Sequence, residues 1–107
     1  MSIRTADQLL AVLARHIGRG NGITAGQLAQ ALQVPERRIR SWVSELRDDG
    51  NAICGTPRDG YFIAHTPEEL EETCEFLRHR AMHSLHLESR LRKIPLSDLL
   101  GQLHVPT

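Results

Sequence analysis

Residues 23–64 read ITAGQLAQALQVPERRIRSWVSELRDDGNAICGTPRDGYFIA, and the changes of period inside that stretch decide the fold. Thr24 followed by Gln27 has the Ser/Thr-x-x-Glu/Gln spacing, in which hydroxyl and amide cap the start of a helix reciprocally. Leu28, Ala31 and Leu32 follow at helical spacing, so a short helix is expected there. Gln33-Val34 connect it to the next segment, where Pro35 suits a first helical turn because its missing N–H costs nothing there. Ile39, Val43 and Leu46 then share one face with Trp42 at its border, and Gly50 fits a left-handed end cap. Trp42 reads as a partly buried core residue, because an indole beside an apolar face usually packs. After Gly50 the period shortens. Residues 52–54 and 61–64 are short apolar runs flanking Thr56-Pro57-Arg58-Asp59-Gly60, which predicts a β-hairpin with Asp-Gly in its turn.

Upstream, Thr5 and Gln8 repeat the capping spacing, and Leu9, Leu10, Leu13 and Ile17 carry a first helix to Gly18. Arg19-Gly20-Asn21-Gly22 reads as a loop, after which residues 22–23 can add a third short strand at the hairpin edge. Downstream, Thr66-Pro67-Glu68-Glu69 combines an N-cap, a proline at the first position and a glutamate at the third. A long helix is expected from there to about Arg92, with Pro95 marking its end or a kink and Leu96, Leu99, Leu100 and Leu103 forming a last short helix. The order helix, helix, helix, hairpin, long helix describes a mainly α chain with a small β-hairpin (α+β). Three helices followed by a two-stranded wing make a winged helix-turn-helix, here with a long C-terminal helix. Residues 1–65 form that domain in this reading, and residues 66–107 a helical extension packing on it.

The stretch 23–64 resembles bacterial and phage winged helix-turn-helix domains, through TAGQLAQAL, VPERRIRSWVSELRDDG and RDGYFIA. Residues 60–81, GYFIAHTPEELEETCEFLRHRA, resemble the tail of small phage- and prophage-type winged-helix proteins. The resemblance implies duplex DNA as partner, read by the third helix in the major groove. It also implies a role as transcriptional regulator or replication accessory factor, although one scaffold of this kind hosts many functions.

The 107 residues have zero formal net charge and a pI near 7.0, which argues against a polybasic nucleic-acid coat. Charge is nevertheless uneven. Residues 1–64 hold eight Arg against six Asp and Glu (+2), and residues 65–107 hold five basic against seven acidic groups (−2). Four Arg and two Glu fall within residues 34–47, so a small contact patch is expected. At about 100° per residue with Ile39 inward, Arg37, Ser41 and Ser44 point outward and Arg38 and Arg40 flank them. An Arg can fork onto guanine or clamp a phosphate, and Ser can reach either. A solvated polar face is the bland alternative, and the winged-helix order around it is what tips the reading towards DNA. Thr24 at a helix start and Arg58 at the wing tip complete the expected DNA-binding set. Asp48 and Asp49 repel phosphate and should lie beyond the contact.

On the long helix, Leu70, Cys74, Leu77, Ala81 and Leu85 form a stripe expected to cover the chain's own core. A second stripe, Leu87, Leu91 and Ile94, joins Leu96, Leu99, Leu100 and Leu103 as the expected homodimer interface. His79, His83 and His86 share a face, but nothing completes a ligand set, so no metal and no other cofactor is expected. No nucleophile elbow or phosphate-cradling loop is present, so no catalytic residue is assigned and the chain is not read as an enzyme. Few aromatics leave little room for a small-molecule effector, and none is expected. Cys54 and Cys74 lack CxxC spacing and read as two buried thiols. Without a leader-like block or a long apolar run, the reading is cytoplasmic with no membrane partner. The competing reading is a winged-helix module for protein–protein contact, an adaptor or a phage protein targeting a host complex. A positive stripe through residues 37–40 and 58 separates the two, because protein contact does not require it.

Overall fold

Capping and periodicity carry most of the local structure. In a computed structural model of the chain, which describes residues 5–103, eight elements follow one another. They are α1 (Ala6–Leu13), a 3₁₀ turn (Arg19–Asn21), α2 (Ala25–Leu32), α3 (Glu36–Asp48), β1 (Ile53–Thr56), β2 (Gly60–Ile63), α4 (Pro67–Arg92) and α5 (Leu96–Leu103). The chain is therefore mainly helical with one small antiparallel hairpin. It divides into two compact units, one ending at Thr73 and the other starting at Cys74.

The first unit is built on α1, α2 and α3. Leu9 and Leu13 of α1, Leu28 and Leu32 of α2, and Ile39, Trp42, Val43 and Leu46 of α3 are buried together with Ile53 of β1. These are the i, i+3, i+4 positions of each helix, and each fully buried Leu or Ile contributes about 1.5–3 kcal/mol of transfer free energy. Thr24 caps α2: its hydroxyl accepts from Gln27 N (3.1 Å) and its N–H donates to Gln27 Oε1 (3.0 Å). The helix ends at Gln33 in the left-handed conformation (φ 56°), where Val34 N–H reaches back to Ala29 O (3.0 Å). Pro35 is the N-cap of α3 rather than its first residue, and Gly50 (φ 95°) closes that helix with Asn51 N–H on Leu46 O (3.0 Å).

The hairpin pairs Ile53 with Ile63 through Thr56 with Gly60. Gly60 turns the chain at φ 74°, and a Cβ there would lie 2.7 Å from the Ile23 carbonyl group. The close approach lets Ile23 and Tyr61 exchange both backbone hydrogen bonds (2.9 and 2.7 Å), so the expected edge strand at residues 22–23 is realised as a single bridge at Ile23. Helix α1 is shorter than its apolar spacing suggested. Ile17 does not extend it; residues 16–18 bond to the backbone of Ile63 instead, and Ile17 is half exposed. Sheet pairing thus overrides helical propensity at that point.

The start of α4 belongs to the first unit because polar groups, not leucines, seat it. Glu69 accepts from the backbone N–H groups of Arg19 (2.8 Å), His65 (2.7 Å) and Thr66 (3.3 Å). Thr73 is buried and accepts from Gly55 N (3.3 Å). Arg19 pairs with Glu72, and its Nε lies 3.8 Å from Asp59. The unit boundary consequently falls inside α4, past residue 66. Most of the stripe expected to cover the core does not do so: Leu70 and Leu77 are each 40% exposed, Cys74 and Ala81 are exposed, and Leu85 is partly covered. Cys54 is buried as expected, its thiol 3.6 Å from Glu69 O, but Cys74 is not. One residue beyond Thr73, it is turned about 100° away from the bonded side.

In the second unit α4 ends at Lys93 in the left-handed conformation (φ 58°), with Ile94 N–H on Ser89 O (3.0 Å), and α5 follows Pro95. Leu99 is 1% exposed and Ser89 is buried.

Candidate nucleic-acid interface

Helix α3 separates an apolar side from a charged one. Ile39, Trp42, Val43 and Leu46 are buried, whereas Arg37, Arg38, Arg40, Ser41 and Ser44 are all exposed. Arg37, Arg38 and Ser41 share an open depression of about 410 Å³ with Trp42 and Glu45. Trp42 is only 6% exposed, so it serves the core while flooring this hollow. The Arg38 guanidinium stands 5.9 Å from the indole centre, a cation–π distance that orients the charge without neutralising it. The Arg37 side chain makes no hydrogen bond or ion pair with any described residue. Two free or stacked guanidiniums beside a serine hydroxyl form a donor set for anionic oxygens or for the acceptor edge of guanine.

The remaining positive groups are partly committed. Arg40 lies on the same helix but pairs with Glu36 at 3.8 Å. Arg47, which adds to the local positive balance in sequence, turns inward and donates from Nε to Ile53 O at 2.9 Å, holding α3 to β1. Arg58 is 88% exposed at the hairpin tip, with its Nε 3.6 Å from Asp59 Oδ1. Asp59 is itself fixed by Thr56, whose hydroxyl accepts from Asp59 N (3.1 Å) and donates to its carboxylate (3.2 Å). Thr24 is exposed, with its hydroxyl engaged in the α2 cap. The seven expected residues are thus divided: three share the depression, Arg40 and Ser44 lie elsewhere on α3, and Thr24 and Arg58 belong to other elements. Glu45 escaped the sequence reading. Its spacing of four from Ser41 and seven from Arg38 places it on their side of the helix, and that signal was present in the sequence.

The electrostatics at the seat of α4 differ. The backbone N–H groups of Arg19 and His65, followed by that of Thr66 and the nearby Arg19 charge, hold the Glu69 carboxyl below its ordinary value against some desolvation. This carboxylate is a structural acceptor.

On α4 the imidazoles of His79, His83 and His86 are exposed, and His86 accepts from Arg90 Nε at 3.1 Å. No group of three or more His, Cys, Asp or Glu suited to a metal ion occurs among the described residues. Of the residues expected to form a dimer interface, Leu91 is 85% exposed, Leu87 and Leu103 are about half exposed, and Ile94, Leu96 and Leu100 are partly covered. Leu99 is already covered within the single chain and offers no surface to a second copy. No described helix is long and apolar enough to cross a membrane. Comparison with protein-family models, with curated proteins and with solved structures finds no match for this chain.

Proposed function

We propose that this chain is a winged helix-turn-helix protein that binds duplex DNA, with α2 and α3 as the helix-turn-helix and the β1–β2 hairpin as the wing. The observation that carries the reading is the state of Arg37 and Arg38: exposed, adjacent, free of carboxylate partners and beside Ser41. An exposed helix face needs polarity, but it does not need uncompensated guanidiniums. Arg37, Arg38 and Ser41 would enter the major groove, with Arg40 and Ser44 beside them, while Thr24 and Arg58 approach the backbone. A regulatory or replication-accessory role follows from sequence-specific binding, and no catalytic residue or cofactor is assigned.

Anisotropy of labelled random-sequence duplex, titrated at low and near-physiological salt, tests this. Micromolar binding that weakens steeply with salt is expected, because each Arg–phosphate contact displaces counterions. The absence of binding at low salt would overturn the DNA reading.

A protein partner is the second reading, and one observation favours it. Glu45 lines the same depression, and Glu36 and Asp59 stand beside Arg40 and Arg58, so the positive stripe is interrupted. A mixed-charge surface of that kind suits a protein partner with both signs better than a continuous row of phosphates.

A further inference from the structure

Helix α4 carries an apolar seam that the chain itself leaves open. Leu70, Cys74, Leu77, Ala81, Ser84 and Leu91 follow the alternating four-three spacing of a coiled-coil seam, with Glu88 at the one charged position. Leu70 and Leu77 are 40% exposed, Leu91 is 85% exposed, and Cys74, Ala81 and Ser84 are exposed. Glu88 is held by Arg92 Nε at 2.7 Å, which offsets its charge. Small residues near the middle of the seam allow a second helix backbone to come close.

Charge along the same helix says which second helix fits. All five acids of its first part, Glu68, Glu69, Glu71, Glu72 and Glu75, precede any base. From Arg78 to its end α4 carries Arg78, Arg80, Arg90 and Arg92, with Glu88 the only acid, and Lys93 follows its last residue. The helix dipole favours acids in the first turn and bases in the last, but that preference fades within a turn and does not account for Glu75, Arg78 or Arg80. Glu69 and Glu72 are engaged within the first unit, whereas Glu68, Glu71 and Glu75 have no ion-pair partner among the described residues. A parallel copy of α4 would set acids beside acids and bases beside bases. An antiparallel copy sets each acidic start beside a basic end, twice over, about a two-fold axis.

We propose that α4 pairs antiparallel with α4 of a second copy of this chain along the Leu70–Leu91 seam, crossing near Ala81. This goes beyond the DNA reading and does not depend on it, since it is tested without nucleic acid. It also moves the expected dimer contact from the Leu87–Leu103 set to the middle of α4, keeping Leu91 alone.

Sedimentation of the full chain at micromolar concentration is expected to show a dimer that loosens as salt rises. Leu77→Glu should raise the dimer dissociation constant by about a hundredfold, with helical circular dichroism retained. Glu71→Arg/Glu75→Arg should weaken the dimer about tenfold, and adding Arg90→Glu/Lys93→Glu, which leaves the Arg92–Glu88 pair in place, should restore it. Orientation is read by oxidative cross-linking. Two antiparallel Cys74 residues lie about 20 Å apart along the axis and cannot form a disulfide, whereas Cys74→Ser/Ala81→Cys places a thiol at the crossing and should link. A monomeric wild type at low salt, a Cys74–Cys74 disulfide, failure of the Ala81→Cys variant to link, or failure of the charge exchange to restore pairing would each overturn the proposal.

Discussion

The outer face of α3 and the first two turns of α4 both concentrate charge, and Arg37 and Arg38 on the one are in the opposite state to Glu69 and Glu72 on the other. On α4, Glu69 is saturated by three backbone N–H groups, and Glu72 and Asp59 hold Arg19. On α3, the Arg37 side chain has no partner among the described residues, and that of Arg38 has only the face of Trp42. Arg47 shows the same contrast within one helix, since its guanidinium is turned inward onto Ile53 O. The lesson is that a count of basic residues overstates a binding surface. Charge available to an outside partner is what remains after the fold has taken its own share, and on α3 that remainder is centred on Arg37 and Arg38.

The largest test of this contrast is Arg37→Ala/Arg38→Ala. Loss of two groove contacts should weaken duplex binding by about a hundredfold or more. Thermal unfolding should fall by no more than a few degrees, because only the contact of Arg38 with Trp42 is lost from the fold. Unchanged DNA affinity would remove α3 as the reader. Next comes Gly60→Ala, on the packed side of the comparison. With φ at 74° and the Ile23 backbone 2.7 Å from the new Cβ, it should cost about 2 kcal/mol or more in urea unfolding.

Glu69→Gln sharpens the comparison through pH. The carboxyl is held below its ordinary value in the folded chain, so its ionised form is favoured there. Its stabilisation is complete above the ordinary value of 4.5 and is lost as pH falls through the lowered native value. The stability gap between wild type and variant should therefore be constant near neutrality and close on acidification, as urea midpoints across that range would register. Smallest is Arg19→Ala, which removes partly exposed ion pairs while keeping the backbone bond to Glu69. A loss below about 1 kcal/mol is expected in the same unfolding assay, with DNA affinity unchanged. A large fall in affinity would make Arg19 part of the interface and blur the distinction.

Local chemistry made much of the fold legible. The boxes at Thr24–Gln27 and Thr66–Glu69, the glycine after α3 and the turn before Gly60 are short-range signals, each satisfied by neighbours in sequence. Where a distant strand competes, the reading missed: Ile17 fits a helical stripe, but its segment pairs with Ile63. The α4 stripe missed for a related reason. Apolar spacing says that a helix has a sticky side, and it does not say what covers it. In the fold, the side of α4 seated on the hairpin is polar, through Glu69 and Thr73, and the leucine seam is left exposed. For the candidate site, the wheel alone put Arg37, Ser41 and Ser44 outward, because Ile39 and Val43 had to be inward.

What the sequence determined by itself was the order of the main elements, the caps at Thr24, Thr66 and Gly50, and the inward faces of α1, α2 and α3, since propensity, capping and periodicity act over one to two turns. Only the tertiary structure decided which charges stay free, where α1 yields to the sheet, which side of α4 is seated and that Leu99 is covered. Those outcomes depend on groups far apart in the chain, and no local pattern encodes the distance between them.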